Sequence, residues 1–266
     1  MTSVDDAIRE ALDAPFEGWD LSWLDGRVEE TKPPWDYPSL VRGAMTDAGR
    51  TLDIDTGGGE FLAGLAPLRG FVVATEGYPP NVRVANEHLG PARVLLVQAA
   101  SAPDNVDQGA AEPIVDGSPL PLADASFGLV IDRHSSYWPS EVRRVLRTGG
   151  RFLTQQRSET GERGASWADL FDRPGEGTVR FDASFAARQL REAGFEIVRS
   201  EEADTPVRFN DLPGVVYYLR AVPWAVPGFD VIRDRGALER IDDALREGPV
   251  VIRGSHMLID AIAVER

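Results

Sequence analysis

The sequence predicts an α/β fold, and three observations lead to that expectation. From Thr51 onward, short β-branched runs alternate with helical stretches. The run Phe127 to Ile131 is continuously apolar, which suits a sheet covered on both faces, because a half-exposed strand alternates apolar with polar residues. Helical stretches end at glycines and hand over directly to the next strand, as crossovers between parallel strands do. A chain of 266 residues with 42% apolar side chains can fill a substantial core.

The elements follow in order. Residues 1 to 40 carry Phe16, Trp19, Trp23, Trp35 and Tyr37, too many aromatics for a solvated tail. They are expected to pack as a cap over the ligand edge of the sheet or as an N-terminal helix covering core surface. Next come TLDID, a glycine-rich turn, FVVATE, VRVANEHL and RVLLVQ, and later FGLVID and RFLTQQ. Residues 100 to 117 are a turn-rich loop of low apolar content. Pro139 to Leu146 has Val142, Val145 and Leu146 at helical spacing and stops at Thr148-Gly149-Gly150. Phe181 to Ala193 repeats that plan, with Gly194 as its C-terminal cap and FEIV after it. An insertion at about 204–250, holding VVYYLRAVPWAVPGF and the charged helix ALERIDDALREG, precedes the last strand. It forms either a wall of a substrate pocket or a helical brace on the sheet.

Composition narrows the function. Twenty-eight basic and 43 acidic residues leave a formal charge of −15, which repels a phosphate backbone unless the cations gather on one face. The absence of cysteine excludes disulfides, thiolate nucleophiles and cysteine zinc sites, and His88, His134 and His256 lack metal-ligand spacing, so no metal is expected. The stretch MTSVDDAIREALDA has neither the basic start nor the apolar core of a secretory signal, and no apolar run approaches the roughly 20 residues that cross a bilayer. The expectation is a cytoplasmic protein with no membrane partner. The tetrapeptide Gly254-Ser255-His256-Met257 matches a common cloning scar in its letters, but it leads straight into the apolar run Met257 to Val264 and reads as native.

The chemistry gathers at strand ends. The first strand runs into Leu52-Asp53-Ile54-Asp55-Thr56-Gly57-Gly58-Gly59-Glu60, a glycine turn that lets backbone N–H groups approach an anionic or polar ligand. It matches neither the G-x-G-x-x-G dinucleotide fingerprint nor the phosphate loop ending in Gly-Lys-Ser/Thr. The second strand ends at Glu76, about 20 residues further on, where a carboxylate can accept both hydroxyls of a ribose. A nucleoside-containing cofactor is therefore expected.

Four blocks, LDIDTGGGE (52–60), VVATEGYPPNV (72–82), LPLADASFGLVIDRH (120–134) and EVRRVLRTGGRFLTQQ (141–156), follow one another in a known order. In them the sequence resembles the class I S-adenosylmethionine-dependent methyltransferases, in particular the small-molecule group with a "methyltransferase type 11" pattern, over roughly residues 40 to 200. The resemblance implies a Rossmann-like, doubly wound, seven-stranded sheet within residues 41–266, parallel except for a final antiparallel strand at Met257 to Val264. It also implies roles. Asp53, Asp55, Gly57 and Gly59 surround the methionine part of S-adenosylmethionine, Glu76 holds the ribose, and Tyr78 borders the adenine. Asp116, or the backbone near Ala99, faces the adenine amino group, while Asp132 and Arg133 lie where methionine and substrate meet. Asp55 departs from the family pattern, which has a glycine there; aspartate tolerates positive φ among non-glycine residues, and its carboxylate can approach the cofactor's cationic groups.

Methyl transfer from a sulfonium rests on alignment and desolvation. An acceptor hydroxyl or protonated amine also needs a base, for which His134 is the candidate, the alternative being a histidine hydrogen-bonded in the pocket wall. Trp35, Tyr37, Trp138 and Gln156 are the expected substrate contacts, with Tyr217, Tyr218 and Trp224 as further aromatics that line a pocket or belong to the core. The function implied is methylation of a small-molecule O or N acceptor, for instance in secondary metabolism. An RNA or protein methyltransferase and a non-catalytic binding or regulatory protein on the same fold are the alternatives.

Overall fold

The computed structural model describes residues 3–16, 20–99, 120–158, 160–173 and 181–265. In chain order the elements are α1 (Val4–Asp13), β1 (Val28–Glu30), α2 (Tyr37–Ala48), β2 (Arg50–Ile54), α3 (Glu60–Gly64), β3 (Phe71–Glu76), α4 (Pro79–Leu89), β4 (Leu95–Gln98) and β5 (Phe127–Arg133). They continue with α5 (Pro139–Val145), β6 (Leu146–Ser158), α6 (Trp167–Leu170), α7 (Ala183–Glu192), β7 (Phe195–Asp204), β8 (Val207–Phe209), α8 (Leu212–Ala221), α9 (Arg235–Glu247), β9 (Val250–Ile252) and β10 (Ser255–Ala263). The chain forms two compact units. One holds Pro34–Ser158, Thr178–Glu202 and His256–Arg266; the other holds Met1–Pro33, Glu159–Gly177 and Ala203–Ser255.

The first unit is built on a seven-stranded sheet in the order β4-β3-β2-β5-β6-β10-β7, parallel but for one strand. The chain winds outward from β2 through β3 to β4 and returns to the other side of β2 as β5, so the strand order reverses between β2 and β5. The carboxyl ends of strands beside such a reversal form a ligand crevice. Register aligns the polar ends there: Asp53 pairs with Ala74 and Ile131, Glu76 with Gln98, Asp132 with Thr154, and Arg133 with Gln155. Leu52, Ile54, Val130 and Phe152 fill the core with Met257 and Ile259, each at most 1% exposed. Continuous burial along β5 explains its unbroken apolar run. Gly128 permits the tight seating of β5 against α2: a Cβ there would lie 2.2 Å from the Ala48 carbonyl oxygen.

Caps define the helices. Asp36 begins α2 by accepting from the Ser39 N–H at 3.0 Å, and Asp182 begins α7 by accepting from Phe185 at 2.8 Å. Helix α7 ends with Ala193 as its cap, and Gly194 takes φ 96° one residue later, so the glycine supplies the left-handed exit and not the cap itself. The expected stop of α5 at Thr148-Gly149-Gly150 is corrected. The helix ends at Val145 and β6 begins at once, with the two glycines inside the strand where the pairing jumps from Phe127–Leu146 to Leu129–Arg151. Gly149, at φ 74°, absorbs that irregularity.

The second unit has its own core and a three-stranded antiparallel sheet, β1-β8-β9, with Val207 paired to both Glu30 and Ile252. The stretch expected as a helical insertion thus contributes two of its strands besides α8 and α9. Ala7, Ile8 and Ala11 form the buried face of α1, which packs on α8. The last turn of α1 has no basic residue, and Arg220 of α8 substitutes by donating to the carbonyls of Ala11, Leu12 and Ala14 at 3.2, 3.1 and 2.8 Å. Tyr217 stacks on Trp23 with ring centroids 4.7 Å apart and donates its hydroxyl to the Pro15 carbonyl, while Tyr218 stacks on Trp167. Both tyrosines belong to this core, whereas Trp224 is exposed. No helix among the described residues is long and apolar enough to cross a membrane.

Candidate functional site

At the end of β2 the backbone turns through Asp55, which adopts φ 48°. Its N–H donates to the Thr75 hydroxyl at 3.1 Å, and the next N–H, of Thr56, donates to the Thr75 carbonyl at 2.8 Å, so the turn is fastened to β3. Gly57 and Gly59 follow at φ 65° and 82°. Gly59 caps the short helix α3, and a Cβ there would be 2.8 Å from Cγ of Leu89, so sterics as well as dihedral angle demand glycine.

Glu76 ends β3 with 5% of its surface exposed. Its Oε1 accepts from the Tyr78 N–H at 2.7 Å. Burial raises its pKa, opposed by hydrogen bonds from the backbone of Tyr78 and Gly57, the Asn81 side chain and the Gly77 backbone. The carboxylate therefore binds the β3 end to the glycine turn and holds both in register. Tyr78 is 61% exposed beside it, and half-buried Ala99 donates its N–H to the Glu76 carbonyl at 3.1 Å. Asp116 and Trp19 lie outside the described residues.

Two further carboxyl groups are buried on the neighbouring strands. Burial pushes Asp53 up to about 7 against the opposing charge of Arg133. Asp132 is fully buried; its Oδ1 accepts from Gln156 Nε2 at 2.8 Å and the Ser135 hydroxyl at 3.2 Å, and its Oδ2 has no partner among the described residues. Burial, and then the charge of Asp55, hold the Asp132 pKa well above its ordinary value, against the hydrogen bonds from Gln156 and Ser135. Arg133 is exposed, with its guanidinium 5.0 Å from the centre of the Phe61 ring.

His134 follows at φ 62°, with its N–H donating to the Gln155 carbonyl at 2.9 Å. Its Nε2 lies 3.1 Å from Gln155 Nε2, and Gln155 Oε1 accepts from the indole N–H of Trp35 at 2.8 Å. His256 of β10 places its ring 5.3 Å away. His134 is exposed, and the protein packed on its ring, then the charges of Arg133 and Arg157 and the neighbouring His256, lower its pKa from the ordinary histidine value, an effect that solvent contact weakens.

Tyr37 is placed elsewhere than expected. It is 2% exposed, stacks on Phe61, and its hydroxyl sits 2.9 Å from the carbonyls of both Asp132 and Leu153. It braces β5 against β6 and presents nothing to a substrate. Trp35, at 8% exposure, is likewise occupied, by Gln155. Trp138 is half-buried at the start of α5, and Gln156 is held by Asp132 and Thr154. The structure adds Thr75, Ser135, Gln155 and His256 to the polar groups of this edge. Gln155 stands beside the expected Gln156 in the run RFLTQQ, and Thr75 and Ser135 carried no local signal. Among the described residues no cluster of three or more histidines and carboxylates is disposed to hold a metal ion.

A doubly wound sheet with this strand order and a glycine turn at its reversal point defines the class I methyltransferase fold, and the chain has that fold. Among solved structures it is similar to a protein of Bacillus halodurans C-125 described as a methyltransferase, at 19% identity over 86% of this chain and 97% of the other with a TM-score of 0.54. It is similar to the YcgJ protein of Bacillus subtilis, at 16% identity over 86% and 99% with a TM-score of 0.53, and to the [4+2]-cyclase SpnF, at 15% over 90% and 88% with 0.52. At such identities the likeness is one of fold, and the cyclase illustrates that one fold hosts different chemistries. No protein-family profile and no curated protein matches the sequence.

Proposed function

We propose that this protein is an S-adenosylmethionine-dependent methyltransferase acting on an oxygen or nitrogen of a small molecule, such as an intermediate of secondary metabolism. The observation that carries the reading is the buried Glu76 at the end of β3, hydrogen-bonded to the glycine turn that closes β2. That pairing places a carboxylate and the glycine turn together at the point of strand reversal. The residues also suit the cofactor chemically: the Asp132 oxygen left without a partner among the described residues is a buried polar atom of the kind a ligand satisfies.

In this reading Asp53, Asp55, Gly57, Gly59, Asp132 and Arg133 surround the amino-acid part, Glu76 accepts from the ribose hydroxyls, and Tyr78 with Ala99 or Asp116 borders the adenine. Glu76 already accepts from the backbone of Tyr78, Gly57 and Gly77 and from the Asn81 side chain, about as many donors as a carboxylate has acceptor positions, so in this reading the ribose hydroxyls take the place of some of these donors. When bound, S-adenosylmethionine would supply an electrophilic methyl group to the acceptor's lone pair, with the carbon–sulfur electron pair left on the S-adenosylhomocysteine product. The chain's own contribution is alignment of the acceptor and exclusion of water. The net charge of −15 supports a small-molecule acceptor over a nucleic acid.

Calorimetric titration tests the reading. Micromolar binding of S-adenosylmethionine and S-adenosylhomocysteine, with no heat from NADH, is the expected result. Binding of NADH alone, or of none of the three, would overturn it.

A further inference from the structure

His134 is held by a two-step hydrogen-bond relay whose polarity is dictated by chemistry. An indole N–H can only donate, so the face of the Gln155 amide turned to Trp35 must be its oxygen. The amide nitrogen is thereby turned toward His134, 3.1 Å from Nε2. An amide NH2 only donates, so Nε2 must accept and carry no proton. The neutral ring then has its hydrogen on Nδ1. Trp35 and Gln155 are 8% and 5% exposed, which shields the step between them from water, while His134 itself is exposed.

Protonating Nε2 would set an N–H against the amide NH2, two donors face to face. The charged groups around the ring oppose protonation as well: Arg133 on β5, Arg157 on β6 and His256 on β10. The one basic nitrogen of the ring is therefore occupied, while Nδ1 has no hydrogen-bond partner among the described residues.

We propose that Trp35 and Gln155 are positioning residues that lock His134 as its neutral Nδ1–H form, making it a fixed hydrogen-bond donor to the acceptor molecule and not a general base. The role toward an acceptor rests on the methyltransferase reading; the lock does not. A donor at this place selects acceptors with a hydrogen-bond-accepting oxygen, such as a carbonyl or carboxylate, beside the atom to be methylated. The acceptor's own proton then leaves by a route other than His134.

Long-range proton–nitrogen NMR of the full-length protein, with the three histidines assigned by single substitution, tests the lock directly. The wild-type His134 ring is expected to show a protonated Nδ1 and an unprotonated Nε2, unchanged between pH 8 and pH 5.5. Gln155→Glu replaces the donor by an acceptor, and is expected to move the proton to Nε2 and raise the titration midpoint by about one to three pH units. Trp35→Phe releases the amide and is expected to yield a mixture of both forms. A wild-type ring protonated at Nε2, or one that gains a second proton near pH 6.5, would overturn the lock without any variant being needed. Titration with S-adenosylhomocysteine separates the two layers: no binding overturns the substrate role, and the spectrum alone decides the lock.

Discussion

Glu76 and Gly59 show what single residues contribute to the edge of the sheet. Removing the Glu76 carboxylate deletes charge-assisted hydrogen bonds, and Glu76→Ala is expected to weaken S-adenosylhomocysteine binding by about 1.5 to 3 kcal/mol, or roughly 10- to 150-fold. Unchanged affinity by calorimetry would remove its ribose assignment. Gly59→Ala forces a side chain into positive φ and against Leu89. Its cost is expected to be about 1 to 3 kcal/mol, read from urea unfolding.

Asp53 carries a pH signature. Burial lifts its folded pKa to about 7, above the ordinary carboxylate value near 3.8, so the native state binds the extra proton between those values. The sign follows: this residue favours the fold at low pH, and its contribution is lost as pH rises from about 4 through 7. Asp53→Asn is expected to raise the ligand-free melting temperature at pH 8 by several degrees, on the order of 2 kcal/mol, and to change it little at pH 5. An equal gain at both pH values would refute the assignment.

Among the elements, the seating of α2 on β5 depends on Gly128. A methyl group there meets a backbone oxygen that cannot rotate away, so Gly128→Ala is expected to destabilise the protein by about 2 kcal/mol or more in thermal melts. The buried strands were legible in the sequence because burial on both faces writes a continuous apolar run, as in FGLVI. Strands β8 and β9 were not, being three residues long and too short to establish a period. The glycine turn and Glu76 were readable because their signals are local. The Trp35–Gln155–His134 relay was not, since 120 residues separate its first two members and only folding brings them together. The expected base at His134 came from its intrinsic pKa and its place just after the strand FGLVID; Gln155, whose Nε2 lies 3.1 Å from its ring, belongs to another strand.

At the scale of the whole molecule, charge separates the alternatives. Arg144, Arg151, Arg173, Arg199, Arg240 and Arg246 each face a carboxylate, so these cations do not sum to a basic surface. Fluorescence anisotropy is expected to detect no binding of a labelled RNA oligonucleotide at 0.15 M salt; saturable micromolar binding would restore the RNA alternative.

The sheet order also has a consequence for biosynthesis. Strand β10 is last in chain order yet lies inside the sheet, between β6 and β7. While the ribosome is still making residues 205–254, the two strands flanking that slot lack their common neighbour, with their backbone donors and acceptors open to wrong pairing. The nascent protein has to keep this slot vacant until the segment beginning at Ser255 emerges, and Ser255, His256 and Met257 are then all buried within it. Premature termination just before Ser255 therefore removes an interior strand and not a frayed tail.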